Sequence, residues 1–339
     1  MRSLLISSVL ALLFAAGCAS VESRVEAYKP GVLAEKSIGL VTIDKDTTWS
    51  GNIRVTGDVL VKEGATLTVL PGTFVRFDTI ENKLASDGGG KLLGTSNPYF
   101  PGAEIIVRGR ILAVGTPDQP ITFTSADPQP RPGIWGAINL LGTNGNVIEY
   151  CHIYYAYNAV HNHSSSVAVL NCVLSNNGTA IIGKKEDYDN PVVMFIEHNT
   201  IVGNKSGISI RYGKIDIAFN RIADNEFYGM WLRESIDARV QYNDITGNGK
   251  GIYLYKAPPL KINYNNIYAN KEYNIGMAEE NPSGVDAAEN WWGTTDVKAV
   301  RATLFDKEQD ETLGVINVEP VMAHKILSAS EREICVPVP

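Results

Sequence analysis

The sequence predicts an all-β fold in which a single chain winds into a parallel β-helix, a solenoid closed by a short C-terminal capping helix. Three observations predict it. A string led by Asn recurs with a period near 22 residues, apolar side chains alternate before and after it, and Asn and Gly mark the corners. The lead positions are Cys151, Cys172, Asn199, Asn220, Asn243, Asn265 and Asn290, stepping by 21, 27, 21, 23, 22 and 25 residues. A fixed period that tolerates insertions belongs to a repeat architecture, in which each unit packs only on its neighbours.

Each part of the repeat has a local reason. Apolar residues three and five places before the lead (Ile217 and Ile215, Val240 and Ala238, Ile262 and Leu260) give period two, hence strand. After the lead the alternation resumes, as in Gly207-Ile208-Ser209-Ile210 and Gly251-Ile252-Tyr253-Leu254, so every unit carries several short strands joined by turns. A circuit this short lays each strand ~4.8 Å from its predecessor, in parallel. The Leu-dense consensus of leucine-rich repeats is missing. At a buried corner the lead amide can donate to its counterpart in one neighbouring coil and accept from the other. Cys151, Cys172, Asn199, Asn220, Asn243 and Asn265 are therefore expected to form a structural ladder.

From the N-terminus, residues 1–17 read as an export signal: Arg2 supplies the charge, and Leu4 to Ala16 is an apolar run of 13 residues, too short to span a bilayer. The run ends Ala15-Ala16-Gly17-Cys18, which resembles the lipobox of bacterial lipoproteins. That resemblance implies lipidation at Cys18, and Ala19 in place of a retention Asp implies the outer rather than the inner membrane. Ordinary secretory cleavage is the alternative. Residues 18–38, with Lys29-Pro30-Gly31, read as a tether. The helix proper is expected over 39–293. Gly57-Asp58-Val59-Leu60-Val61 and Gly109-Arg110-Ile111-Leu112-Ala113 are early strands, with an insertion loop near 79–101 and a second loop at Asp127 to Pro132. Residues 294–339 form a cap and tail, since Thr295, Val297, Val300 and Leu304 fit a short amphipathic helix and Val315 to Val318 a last strand.

Composition narrows the function classes. The 339 residues include 30 basic and 37 acidic side chains, net −7, which argues against nucleic acid as a partner. Five His and four Cys exclude a disulfide scaffold or a Cys-rich zinc fold. Cys151 and Cys172, in neighbouring coils, are read as reduced buried thiols, with a disulfide as the alternative. Cys335 has no evident partner.

In the strand after each Gly, Val160, Ile181, Ile208, Met230, Ile252 and Ile275 point inward. One outward column is then His161, Ile182, Ser209, Trp231, Tyr253, Gly276, and the next is His163, Lys184, Arg211, Arg233, Tyr255, Ala278. Three successive cations stacked ~5 Å apart repel unless something anionic lies among them. The ligand-binding candidates are accordingly His161, His163, Lys184, Arg211, Trp231, Arg233, Tyr253 and Tyr255. A plain solvated face balanced by Glu186, Asp187 and Glu234 is the alternative. His161 and His163 also pose a transition-metal pair, but two ligands do not make a site.

The Asn-x-Ile repeats, the Pro71-Gly72 turn and Asn290-Trp291-Trp292-Gly293 carry a resemblance. Over about 39 to 318 the chain resembles the right-handed parallel β-helices of the pectin-lyase-like superfamily, found in many bacterial envelope proteins. The resemblance implies that sugar chains lie on the outward face, aromatics packing on pyranose rings and Arg or Lys pairing with uronate or sulfate. Lyases of the superfamily use Arg or Lys as base, often with Ca²⁺; here Lys184, Arg211 and Arg233 are the bases on offer. Glu186, Asp187 and Asp189 are the weak Ca²⁺ candidates, and no cofactor is otherwise expected. Hydrolase members carry Asn-Thr-Asp and Gly-His-Gly; Asn199-Thr200 is followed by Ile201 and Gly-His-Gly is missing, which disfavours hydrolysis. The expectation is a lipid-anchored envelope protein that binds an anionic polysaccharide or surface polymer. A polysaccharide lyase or epimerase and a non-catalytic structural or assembly lipoprotein are the alternatives, the last with an envelope protein as partner.

Overall fold

The computed structural model describes residues 34–79, 101–185, 189–278 and 280–327. The export signal with Cys18, the insertion over 80–100, Glu186, Asp187 and Cys335 lie outside the described residues. Within them the chain forms three parallel sheets of 10, 11 and 11 strands, here called A, B and C, each circuit adding one strand to each sheet. Every strand pairing is parallel, as the short period requires. Strand pairing starts at Lys36, so the tether expected to run to residue 38 gives way earlier. It continues past 293, with Leu304–Phe305 joining sheet B and Ile316–Asn317 joining sheet C. A helix of one turn, Val297–Arg301, capped by Asp296, precedes both. The expected cap is thus partly a last circuit. Asp306, fully buried, ties it together: both its oxygens accept from Arg301 Nη2, at 2.9 and 3.0 Å, and one accepts the Ile316 N–H at 2.8 Å.

The core is the tube between the three sheets. Val160, Ile181, Ile208, Met230, Ile252 and Ile275 stack in register and are fully buried. Each such side chain contributes about 1.5–3 kcal/mol of hydrophobic stabilisation. Toward the N-terminus the filling becomes aromatic, with Phe77 and Trp135 stacked at 4.1 Å.

The C-to-A corner carries the ladder. Asn199 donates to Asn220 Oδ1 at 3.0 Å, Asn220 to Asn243 at 2.9 Å, Asn243 to Asn265 at 2.9 Å, and Asn265 to Asn290 at 3.2 Å. The same oxygens accept backbone N–H groups, and the second amide proton goes to a carbonyl of the previous coil, as in Asn220 to Ile196 O at 2.7 Å. Cys172 enters the column through its N–H, 2.9 Å from Asn199 Oδ1, and its sulfur accepts the Cys151 N–H at 3.4 Å. Both thiols are free and buried, and burial, with the neighbouring Cys172 next in effect, pushes the Cys151 thiol well up.

The residue before each lead adopts the left-handed conformation: Tyr150, Asn171, His198, Phe219, Tyr242, Tyr264 and Glu289 have φ between 46 and 59°. Non-glycine residues rarely adopt it, at a cost of roughly 1–2 kcal/mol each. The ladder bonds hold that turn in place, and on its outside the rings of His198, Phe219, Tyr242 and Tyr264 stack at 5.0, 5.0 and 5.7 Å. A second ladder runs five residues on, at the A-to-B corner, through Asn177, Asn204, Asn225, Asn248 and Asn270 to Asn274, with amide contacts of 2.8–3.0 Å. Its signal was present in the repeat, since an Asn follows most leads at that spacing. The corner from B to C has no such ladder among the described residues.

Candidate functional site

Counting circuits along sheet B from Val41–Ile43, the strand Ile105–Val107 is third and Ala156–His163 fifth. Thr179–Lys184 is sixth, Ser206–Ile210 seventh, Tyr228–Arg233 eighth and Lys250–Tyr255 ninth. The outward column His161, Ile182, Ser209, Trp231, Tyr253, Gly276 is in register along them, and Arg233 faces Tyr255 as the period requires.

The two halves of that face differ. Over the second to fifth circuits it is closed: Leu60, Glu104, Ile106, Asn139 and Leu141 are buried, and so are His161, 7% exposed, and His163, fully covered. The two imidazoles, expected on the ligand surface, are therefore removed from it. Alternation along a strand fixes which way a side chain points, whereas exposure depends on what packs against that face. Their rings lie 4.1 Å apart, Asn158 Nδ2 approaches His161 Nδ1 at 3.5 Å, and Asn139 donates to Glu104 at 3.2 Å. Burial first, then His163 and Lys184, holds the His161 imidazole well below its ordinary value, so it is neutral at pH 7.

Over the eighth to tenth circuits the face is half-open and aromatic: Trp231, Arg233, Tyr253, Tyr255 and Tyr273 are half-buried, whereas Ser209 on the seventh is covered. The Arg233 guanidinium lies 3.8 Å from the Trp231 ring centre, Trp231 is 6.2 Å from Tyr253, and Tyr228 closes on Trp231 at 5.3 Å. Lys250 lies over both Tyr253 and Tyr273, at 5.5 and 5.9 Å, and pairs with Glu272 at 2.7 Å. Tyr228, Lys250 and Tyr273 were missed in the sequence because they fall one outward position earlier in the same strands.

The cations are not equivalent. Arg211 donates to Glu234 at 2.6 Å, and the Tyr212 hydroxyl donates to the other oxygen of that carboxylate. Partial burial alone would raise the Glu234 carboxyl; the bonds from Tyr212 and Arg211 outweigh it and hold it below its usual range. The repulsion expected among stacked cations is thus relieved at Arg211 by Glu234. Arg233 has no carboxylate within ion-pair distance among the described residues. It donates to Ser209 Oγ at 3.0 Å, its Nε lacks an acceptor, and so does the neighbouring indole N–H of Trp231. Burial pulls its guanidinium below the ordinary value. Lys184 and Tyr255 are half-buried at the edges of this strip, and Lys256, paired with Glu280, lies 5.2 Å from the Tyr255 ring.

Beside the strip, at the B-to-C corner, Arg211, Tyr212, Glu234, Ser235, Lys256 and Glu280 line a recess of about 550 Å³. Asp189, the described member of the acidic loop, is exposed. Among the described residues no group of three or more His, Cys, Asp or Glu side chains could hold a metal ion.

Two protein-family models match the chain. The one described as a pectate-lyase-like β-helix domain covers residues 41–147, and the one described as periplasmic copper-binding protein (NosD) covers residues 125–290. No curated protein matches. Among solved structures, the A-modules of two Azotobacter vinelandii mannuronan C-5 epimerases match the chain. AlgE6 is 13% identical over 76% of either chain with a TM-score of 0.33; AlgE4 is 10% identical over 86% of this chain and 89% of that one, with a TM-score of 0.32. At such scores the likeness says nothing of substrate. For copper, the described residues do not supply a fitting donor set: the thiols of Cys151 and Cys172 donate to backbone carbonyls, burial pushes the Cys151 thiol well up, and His161 and His163 alone do not complete a site.

Proposed function

We propose that this chain, a parallel β-helix of the pectin-lyase-like superfamily, is a cell-envelope protein that binds an anionic polysaccharide along the open half of sheet B. The observation that carries the reading is the pair Arg233 and Trp231. A half-buried guanidinium stacked on an indole, with no carboxylate to pair with, suits a carboxylate or sulfate carried on a ring that packs beside it. Tyr253 and Tyr255 extend the flat surface, and the Arg211–Glu234 pair borders it. The periplasmic description of the matching family supports an envelope location, and the Cys18 motif supports a lipid anchor, outer membrane rather than inner. No described helix is long and apolar enough to cross a membrane.

The test is binding of a polyuronate and of a sulfated glucan to the full chain and to the Arg211→Ala/Arg233→Ala double variant. Losing charge-assisted bonds of roughly 1.5–3 kcal/mol each, the variant should bind at least about tenfold more weakly at an unchanged melting temperature. Equal binding by both proteins removes the site. A second reading, uronate lyase or epimerase, draws on Arg233, whose guanidinium burial pulls below its ordinary value, the direction a general base on the strip needs. It predicts an unsaturated or inverted uronate on incubation with the polymer, lost in Arg233→Ala; intact polymer rejects it.

A further inference from the structure

The B-to-C corner holds a second recess, of about 410 Å³, on the N-terminal side of the segment around Asn190. Glu63, Arg108, Arg110, Thr143, Asn144 and Asn190 line it, and Asn190 closes one wall by donating to Gly142 O at 2.7 Å. Its floor is held low by Gly109: a Cβ there would come within 2.1 Å of Ala65 O and 2.2 Å of Lys62 O, so no side chain can fill the hollow from that position. Arg110 is exposed at its rim. It donates to Thr66 Oγ1 at 3.2 Å and has no carboxylate within ion-pair distance among the described residues. Among the other exposed arginines, Arg131 and Arg221 also have no carboxylate within ion-pair distance among the described residues, whereas three are paired. Arg54 pairs with Asp78 at 2.9 Å, Arg211 with Glu234 at 2.6 Å and Arg239 with Asp216 at 2.5 Å. Arg110 and Arg233 thus share one property, a guanidinium left without an anion beside a concavity on the same side of the coil.

Arg110 belongs to the third circuit and Arg233 to the eighth. At ~4.8 Å per strand they are about 24 Å apart along the axis. We infer that the recess at Arg110 is a second anion subsite, and that one linear anionic polysaccharide occupies it and the Trp231–Arg233 strip together. The inference rests on the function proposed above and adds a chain-length requirement. A ligand too short to reach both subsites binds each separately; one long enough makes the second contact intramolecular and gains avidity without any new contact.

The experiment is calorimetric titration of the full chain with size-graded oligomers of a polyuronate and, in parallel, of a sulfated glucan. Short oligomers should saturate at two per chain. Affinity should rise by about a hundredfold or more once the oligomer passes the spacing of the subsites, with the stoichiometry falling to one. Arg110→Ala, at an exposed position, should abolish that step and leave one short oligomer per chain, whereas Arg110→Lys should keep part of it. Arg233→Ala should remove the other subsite, leaving the same single stoichiometry and no step. A smooth length dependence, or a step that survives Arg110→Ala while Arg233→Ala weakens binding, overturns the second subsite and leaves the proposed function standing. Binding indifferent to Arg233→Ala overturns both. A step with the polyuronate alone identifies the anion as carboxylate, and one with the glucan alone identifies it as sulfate.

Discussion

The two edges of sheet A and the outer side of sheet B are built from the same repeat and do opposite things with it. Along sheet A the circuits from Asn199 to Asn290 turn through a left-handed residue into a buried Asn, and amide bonds of 2.8–3.2 Å continue from coil to coil. Along sheet B, and at the corner leading to sheet C, the turns vary in length, the polar side chains face outward, and two recesses open. The difference teaches where this coil keeps its stability and where it keeps its freedom. A buried amide that must be matched above and below keeps its place at the corner, so insertions fall elsewhere in the circuit. An outward position answers only to whatever touches it.

The comparison breaks most sharply at Asn220. Asn220→Ala leaves the Asn199 backbone N–H and one proton of the Asn199 amide without an acceptor, and takes a donor from the Ile196 and Ala218 carbonyls, of which Ala218 keeps the His198 N–H. With each orphaned group costing about 1–3 kcal/mol, a loss of roughly 3–5 kcal/mol is expected after partial relaxation, read by denaturant titration. A loss under about 1 kcal/mol would mean that the ladder accompanies the coil without holding it.

A smaller effect belongs to the closed half of sheet B. His161 has a folded-state value well below 6.5, so the unfolded chain binds the extra proton first. Stability is complete above pH 6.5 and declines as pH falls from there toward the folded value. Melting temperature should fall across that window in the wild type and fall less steeply in His161→Gln. Identical slopes would show that the imidazole is already protonated, or solvated, in the folded chain.

The smallest effect sharpens the open half. Glu234 competes with any ligand for Arg211, so Glu234→Gln should strengthen binding of a sulfated polymer by a few-fold, about the worth of an exposed ion pair. Acid should do the same to the wild type. Because the carboxyl is held below 4.5, binding should rise only as pH drops under that value, and the variant should show no such rise. Affinity that is flat with pH and unmoved by the substitution would mean that Arg211 takes no part.

How much of this was legible in the sequence can be argued from particular residues. Asn199, Asn220, Asn243 and Asn265 recur at nearly constant spacing because each needs the next, so the ladder and the register of Trp231 over Tyr253 could be read directly. Asn204, Asn225 and Asn248 carry the same signal five residues later and form the second ladder. His161 and His163 obey the alternation that placed them outward, and yet they are buried, because alternation contains no information about what lies over a sheet. The pairing of Glu234 with Arg211 and Tyr212 depends on a corner where the backbone reverses, with Glu234 itself at φ 56°. No periodicity describes such a turn.

The chain by itself determined the period, the parallel pairing, the inward set and the Asn columns, because all of these follow from hydrogen bonds and apolar contacts repeated at one spacing. Only the tertiary structure decided which arginines keep a partner, which outward side chains reach water, and where the corner between sheets B and C is hollow. Those outcomes depend on residues that meet across circuits without any regular spacing between them, so nothing periodic in the sequence records them.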